Sequence, residues 1–206
     1  MGLIKKLYDW VLDLAQKPNG DISLAVLSFS EASFFPIPPD VLLIPLCLGN
    51  RKKIYFFAFI CSCFSIIGAI FGYYIGKLLW WNMPGIEYSY IANLFFEYVP
   101  GITVDGFNRI QTMYDRWNFW IVFTAGFTPI PFKLITISAG TFNINFLMFI
   151  VASIISRSAR FFIVATLIKV FGDPIKEFIE KYFNLLALAF TILLIGGFIF
   201  IKYIIV

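Results

Sequence analysis

Apolar and polar positions alternate along this chain in long blocks rather than short periods. Residues 54–76, 134–156 and 183–201 are nearly or wholly free of charge. Each approaches or exceeds the roughly 18–20 residues that carry a helix across a bilayer. Residues 146–168 form a further apolar span, with Arg157 and Arg160 inside it. At the start, Leu3, Leu7, Trp10, Val11 and Leu14 recur at helical spacing, while Lys5, Lys6, Asp9 and Asp13 fall largely elsewhere. That pattern predicts an amphipathic helix over 3–17, lying at a membrane interface or packed on the rest of the protein.

Two apolar blocks are interrupted by prolines. Residues 22–49 contain Pro36, Pro38 and Pro39, and 119–145 contain Pro129 and Pro131. Each interior proline removes a helix hydrogen bond, so neither block reads as one continuous helix. The first divides into half-helices near 22–34 and 40–49. Non-helical backbone at membrane depth has to be covered by protein or water. The two breaks share a pattern, FFPIPPDVLLIPLCLG and FTPIPFKLITISAG. Each has Phe-x-Pro-Ile-Pro, a charge two residues later (Asp40 or Lys133) and a glycine at the end (Gly49 or Gly140).

The expected fold is an all-α polytopic membrane protein forming one membrane domain over 1–206. Residues 22–76 make a first repeat of broken segment plus helix, and 119–168 a second. If each broken segment re-enters on its own side, the repeats are inverted. Arg51, Lys52 and Lys53 then share a face with Lys169, Lys176 and Lys181, as the positive-inside bias wants. A C-terminal transmembrane helix follows at 183–201. Inverted repeats with discontinuous helices are a transporter architecture. Gly68, Gly72 and Gly76, four apart, predict close helix packing inside the chain.

Composition agrees with lipid as the solvent. Of 206 residues, 60% are hydrophobic and 14% charged, whereas a soluble domain has about 25% charged residues. The net charge of +4 reflects basic loops rather than nucleic-acid binding. Residues 77–116 hold three basic and four acidic side chains, which suits the far side of the membrane. The three cysteines, Cys47, Cys61 and Cys63, lie in apolar runs and suggest no disulfide framework. There is no histidine, no Gly-rich phosphate loop and no nucleophile constellation, so no enzyme, metal or cofactor is expected.

Ionisable groups inside membrane spans are costly and often functional. Glu31 and Asp40 flank the first break and are candidates for proton coupling or gating. Lys133, Arg157 and Arg160 are candidates for holding an anionic head group, arginine offering a planar fork. Plainer roles stand beside these. Glu31 can pair with a base purely for structure, and Asp40 can cap the helix that follows it. Arg157 and Arg160 can snorkel to an interface if the spanning helix is 134–156.

The stretch Glu31-Ala-Ser-Phe-Phe-Pro36-Ile37-Pro38-Pro39-Asp40, with Pro45-Leu46 after it, resembles the signature of the DedA family, also called the SNARE-associated or VTT-domain family. The second break and the pair Arg157, Arg160 are most similar to its YqaA-like branch. The similarity covers roughly residues 20–172. It implies an inner-membrane, multi-pass protein with two oppositely oriented re-entrant hairpins that moves lipids, with the proton-motive force linked to function. Glu31 and Asp40 match the family's membrane-embedded acids. Many members carry an arginine before the second Phe-x-Pro, where this chain has Gly126, and another soon after it, a place that Lys133 roughly fills. The implied activity is transport or flipping of a phospholipid or polyprenyl phosphate. Lipids, protons and a second copy of the chain are the expected partners. The alternative is a non-transporting membrane protein that supports envelope assembly or binds a partner.

Overall fold

The structure is a computed structural model that describes residues 19–35, 37–99, 103–127, 131–172 and 174. Helix α1 (Gly20–Ser33) opens with Asp21 in its first turn, where the helix dipole favours an acid. Its serines Ser28, Ser30 and Ser33 donate to the carbonyls of Leu24, Val26 and Phe29, so the hydroxyls are satisfied among apolar neighbours. The helix stops where the proline cluster begins, and the amides of Phe34 and Phe35 both donate to the Ser30 carbonyl. Behind Pro38 and Pro39 the chain re-enters helix as α2 (Asp40–Gly49). A short 3-10 turn, Arg51–Lys53, leads into the long α3 (Ile54–Trp80).

A small antiparallel hairpin follows, β1 (Trp81–Met83) with β2 (Glu87–Tyr88). Its turn uses Gly85 at φ 76°, a conformation glycine adopts without penalty. Next come α4 (Tyr90–Tyr98), α5 (Val104–Phe127), α6 (Phe132–Thr141) and α7 (Phe146–Phe171). Ser89 caps α4 by accepting from the Ala92 amide, and Asn145 caps α7 by accepting from the Met148 amide.

Helix α3 organises the bundle. Helix α1 runs parallel along its first half, with Ser28 Oγ on Cys61 Sγ and Ser33 Oγ donating to the Gly68 carbonyl. Helix α6 continues the same row along the second half. At that contact a Cβ on Gly76 would fall on the Ile137 carbonyl, and one on Gly140 would fall on the Tyr73 carbonyl. Only glycine lets the two backbones approach so closely. Where α1 and α6 meet, Thr136 Oγ1 donates to the Ala32 carbonyl at 2.9 Å. On its other side α3 packs antiparallel to α7. Tyr73 lies on Phe149, Ser65 on Arg157, and Tyr55 on Phe162. Helix α5 completes the bundle. Its Tyr114 and Gln111 reach the end of α6, and Gly126 abuts Ser156 of α7.

This arrangement corrects the expected fold class. The described residues form a compact, interlocked bundle of seven helices and one β-hairpin, not an all-α array of sequential hairpin-plus-helix repeats. The physical reason is visible at α6. It docks on α3, the long helix of the other half, through Gly72, Gly76 and Gly140, while α7 takes α5 and α3 as its main neighbours. Residues 22–76 pack on themselves through α1 and α3, but α6 docks on that first half rather than on α7, so the second half does not repeat the packing of the first. The inverted re-entrant arrangement and the polytopic membrane fold of the DedA or VTT type are not the architecture seen. Two described stretches, Arg51–Trp80 and Phe146–Phe171, are long and apolar enough to cross a membrane by length and composition. The expected helix at 183–201, the amphipathic helix at 3–17, Lys176, Lys181, Pro36 and Pro129 lie outside the described residues.

Candidate functional site

Among the described residues, the most deeply buried charge is Arg157, only 1% exposed. It sits midway along α7, about 17 Å from the start of that helix at about 1.5 Å per residue. Its Nη2 donates to Glu31 Oε2 at 2.6 Å, and its Nε donates to Ser65 Oγ at 2.7 Å. The faces of Phe132 and Phe161 enclose the guanidinium, with ring centroids 4.9 and 4.7 Å from it. Four elements thus converge on one cation: α1 supplies the acid, α3 the hydroxyl, and α6 and α7 the rings. Removing a guanidinium from water is expensive, and only a partner with good geometry offsets the penalty. The carboxylate, the hydroxyl and the two aromatic faces together do so.

A second pair lies one turn further on. Arg160 Nη2 donates to Asp40 Oδ2 at 2.5 Å, with both side chains near 18% exposed. Asp40 stands in the first turn of α2, directly after the proline cluster, so the chain break itself delivers this carboxylate to α7. Its Oδ1 is buried with no hydrogen-bond partner among the described residues. Arg157 and Arg160 are three apart and share one helical side, so the two ion pairs are neighbours.

Of the expected site residues, Glu31, Asp40, Arg157 and Arg160 are therefore brought together. The two acids do not stand apart from the two bases; each neutralises one of them. The snorkelling arrangement would need a helix over 134–156, whereas α7 spans 146–171 and buries Arg157 in its middle. Lys133 lies in the first turn of α6, half-buried and next in sequence to Phe132. No carboxylate reaches ion-pair distance of it among the described residues. Pro38, Pro39 and Pro131 sit in the non-helical stretches that precede α2 and α6. Ser65, Phe132 and Phe161 were missed. Ser65 carries a faint signal, a hydroxyl in a long uncharged run. The two phenylalanines are lost among 26 of their kind.

The chain is 30% identical, over 204 residues, to an uncharacterized protein of Haemophilus influenzae, covering 98% of this chain and 100% of that one. The chain belongs to that protein's family. An uncharacterized protein of Histophilus somni is 33% identical over 184 residues, 87% of this chain and 91% of its own. One from Methanocaldococcus jannaschii is 26% identical over 145 residues, 70% and 81% of the two chains. No family model and no solved structure matches the chain. The names of these relatives state no activity.

Proposed function

We propose that the protein is lodged in the cell inner membrane by α3 and α7 and carries an anionic lipid, a phospholipid or polyprenyl phosphate, across it. The observation that carries this reading is the Glu31–Arg157 pair, buried at the midpoint of the two described helices long enough to span. Ser65, its partner on α3, is likewise about 17 Å from the start of that helix. The outer surface supports the same reading. In the most apolar windows of α3 and α7 only 44% and 33% of residues are buried. Phe56, Phe59, Ile67 and Phe71 on α3, and Leu147, Ile154, Ile163 and Val170 on α7, face outward. Soluble monomers rarely expose contiguous apolar surface on this scale. Arg51, Lys52 and Lys53 are exposed at one end of α3, and Lys169 lies over the Tyr55 ring beside them. By the positive-inside bias that end faces the cytoplasm.

The ion pairs suggest how a head group would be held. A carboxylate and a lipid phosphate compete for the same guanidinium. Where a phosphate displaces the Glu31 carboxylate, it takes that place on the planar fork of Arg157. Phe132 and Phe161 keep the guanidinium positioned during the exchange. Asp40 and Arg160 repeat the arrangement closer to the cytoplasmic end, and Lys133 adds a cation with no carboxylate at ion-pair distance among the described residues. The reading is tested with the purified full-length chain in liposomes. Fluorescent phosphatidylglycerol is expected to cross faster than in empty vesicles and faster than phosphatidylcholine. Rates equal to those of empty vesicles would overturn it.

One observation favours a second reading, a non-transporting membrane protein that supports envelope assembly. Both guanidiniums are already satisfied, as a purely structural pair would be. Glu31→Gln and Asp40→Asn variants that still support growth, in a protein that moves no lipid, would decide for it.

A further inference from the structure

Helix α4 has three sides. At 3.6 residues per turn, Ala92 and Phe96 fall on the side packed against the protein, and Asn93 and Glu97 share a polar side. Tyr90, Ile91, Leu94, Phe95 and Tyr98 cover the remaining arc of about 140°. That arc is apolar and largely open. Tyr90 is 75% exposed and Tyr98 69%, Ile91 and Phe95 are exposed, and Leu94 is half-buried. A single exposed apolar residue is ordinary. Five on one side of a nine-residue helix form a patch that marks an interaction surface.

The end of α3 fixes the level of this patch. The Ser89 amide donates to the Trp80 carbonyl and the Ser89 hydroxyl to the Leu79 carbonyl, so α4 starts where α3 stops. Helix α3 runs 27 residues, about 40 Å, from the end that exposes Arg51, Lys52 and Lys53. A bilayer with its polar layers is about 40–45 Å thick. With the basic end in one headgroup layer, the far end of α3, and α4 with it, lies in the other. The patch is also turned toward the lipid. Phe95, on the edge of the apolar arc, packs on Trp80 of α3, with ring centroids 5.7 Å apart. Phe96, beside the polar side, reaches Tyr88 of the hairpin, 5.0 Å away, as well as Phe107 of α5. The hairpin sits over the end of the bundle: Trp81 Nε1 donates to the Thr141 carbonyl, and Gly85 lies beside Asn143 in the α6–α7 connection. The polar side of α4 is thus the one toward this outer end, and the apolar arc faces back along α3.

We infer that α4 lies in the headgroup layer of the leaflet opposite the basic end, with Tyr90, Ile91, Leu94, Phe95 and Tyr98 set into the upper acyl region of the lipid and Asn93 and Glu97 in water. Tyrosine suits this depth, its ring apolar and its hydroxyl able to bond headgroup oxygens. An amphipathic helix of this kind is held by the apolar area it buries in lipid, and here the hydrogen bonds to the end of α3 hold its level as well. The inference rests on α3 as a spanning helix, which the proposed carrier requires, and not on lipid movement.

The test uses the full chain in lipid nanodiscs, where both faces of the bilayer are open to solvent. Cys47 and Cys61 are fully buried and stay, while the partly exposed Cys63 is replaced by alanine. One cysteine is introduced by Y90C, Y98C, N93C, E97C or, on the outward face of α3, I67C. Each is labelled in the folded protein with the fluorophore NBD. Quenching is read with a phosphatidylcholine that carries a nitroxide on its upper acyl chain, and separately with iodide in solution. Nitroxide quenching at Y90C and Y98C at least about twofold stronger than at N93C and E97C, with iodide quenching in the reverse order, is the expected result. Equal quenching at the four positions, or the opposite order, overturns the inference. So does a Y90C and Y98C pair shielded from both quenchers, which would mean that protein, such as a second copy of the chain, covers the arc. I67C separates this failure from that of the membrane placement. If the nitroxide quenches I67C but not Y90C and Y98C, α3 still spans and only the inference about α4 falls. If iodide quenches I67C and the lipid nitroxide does not, both fall.

Discussion

The two ion pairs on α7 have the same chemistry and different surroundings. Glu31–Arg157 is walled in by four elements, with a hydroxyl and two aromatic rings completing the guanidinium's shell. Asp40–Arg160 is partly open. Water screens the second pair and supports either partner when the other is lost. Nothing supports a partner of the first. The contrast teaches that burial, rather than the pairing itself, decides how strongly the bundle depends on an ion pair. The enclosed pair ties α1, α3, α6 and α7 together, while the open pair joins only α2 and α7.

That contrast can be broken by mutation, and the effects are expected to fall in a definite order. Arg157→Ala strands Glu31 without a counter-charge and is expected to lower unfolding stability by about 3–5 kcal/mol, read by denaturant or thermal unfolding in detergent. Loss of less than about 1 kcal/mol would mean that Glu31 finds water or another partner. Phe132→Leu removes one of the two rings over the guanidinium, with an expected loss of about 1–2 kcal/mol. The same substitution in an Arg157→Met background should cost measurably less, since the cation is gone. Asp40→Asn keeps the position at the start of α2 and weakens only the open pair. Its expected effect is about 1 kcal/mol or less, and added salt should shrink the difference from the parent. Lys133→Gln is expected to leave stability within about 0.5 kcal/mol and to slow anionic lipid movement alone.

Much of the local structure was legible in the sequence. Proline clusters placed the breaks before α2 and α6, because a missing amide and a fixed φ act on the nearest turn only. The long helices were legible from their apolar spans, 54–76 against the observed 54–80 and 146–168 against 146–171, whereas the uncharged run 134–156 straddles the break between α6 and α7. The glycine row at 68, 72 and 76 pointed to close packing inside the chain, and all three glycines meet backbone or side-chain atoms of α1 or α6. Helix α5 was cut short at its start. The apolar block was begun at residue 119, whereas the helix runs from Val104 to Phe127 and carries Asp105, Arg109, Asp115 and Arg116. The β-hairpin went unseen, although Pro84-Gly85 between Trp81-Asn82-Met83 and Ile86-Glu87-Tyr88 carries a turn signal.

The arrangement of the halves was not legible, and here the expectation failed. A repeated Phe-x-Pro-Ile-Pro encodes where a helix stops. It does not encode which helix the next segment docks on, because that depends on glycine contacts such as Gly140 with Tyr73, 67 residues away in sequence. The charged residues of the site could be nominated one by one from their apolar surroundings. Their pairing could not, since Glu31 and Arg157 are 126 residues apart and no local period records the contact.

Stability and function part company in the double variant Glu31→Met, Arg157→Met, which removes both charges of the enclosed pair and leaves none unpaired. Replacing a buried ion pair by apolar side chains is often neutral or stabilising by about 1–4 kcal/mol. The most direct measurement is the rate at which this variant, shown to be folded by its unfolding transition, moves fluorescent phosphatidylglycerol across a liposome. The account predicts a Tm at or above that of the parent and movement no faster than in empty vesicles. A folded double variant that moves the lipid at the parental rate would contradict it.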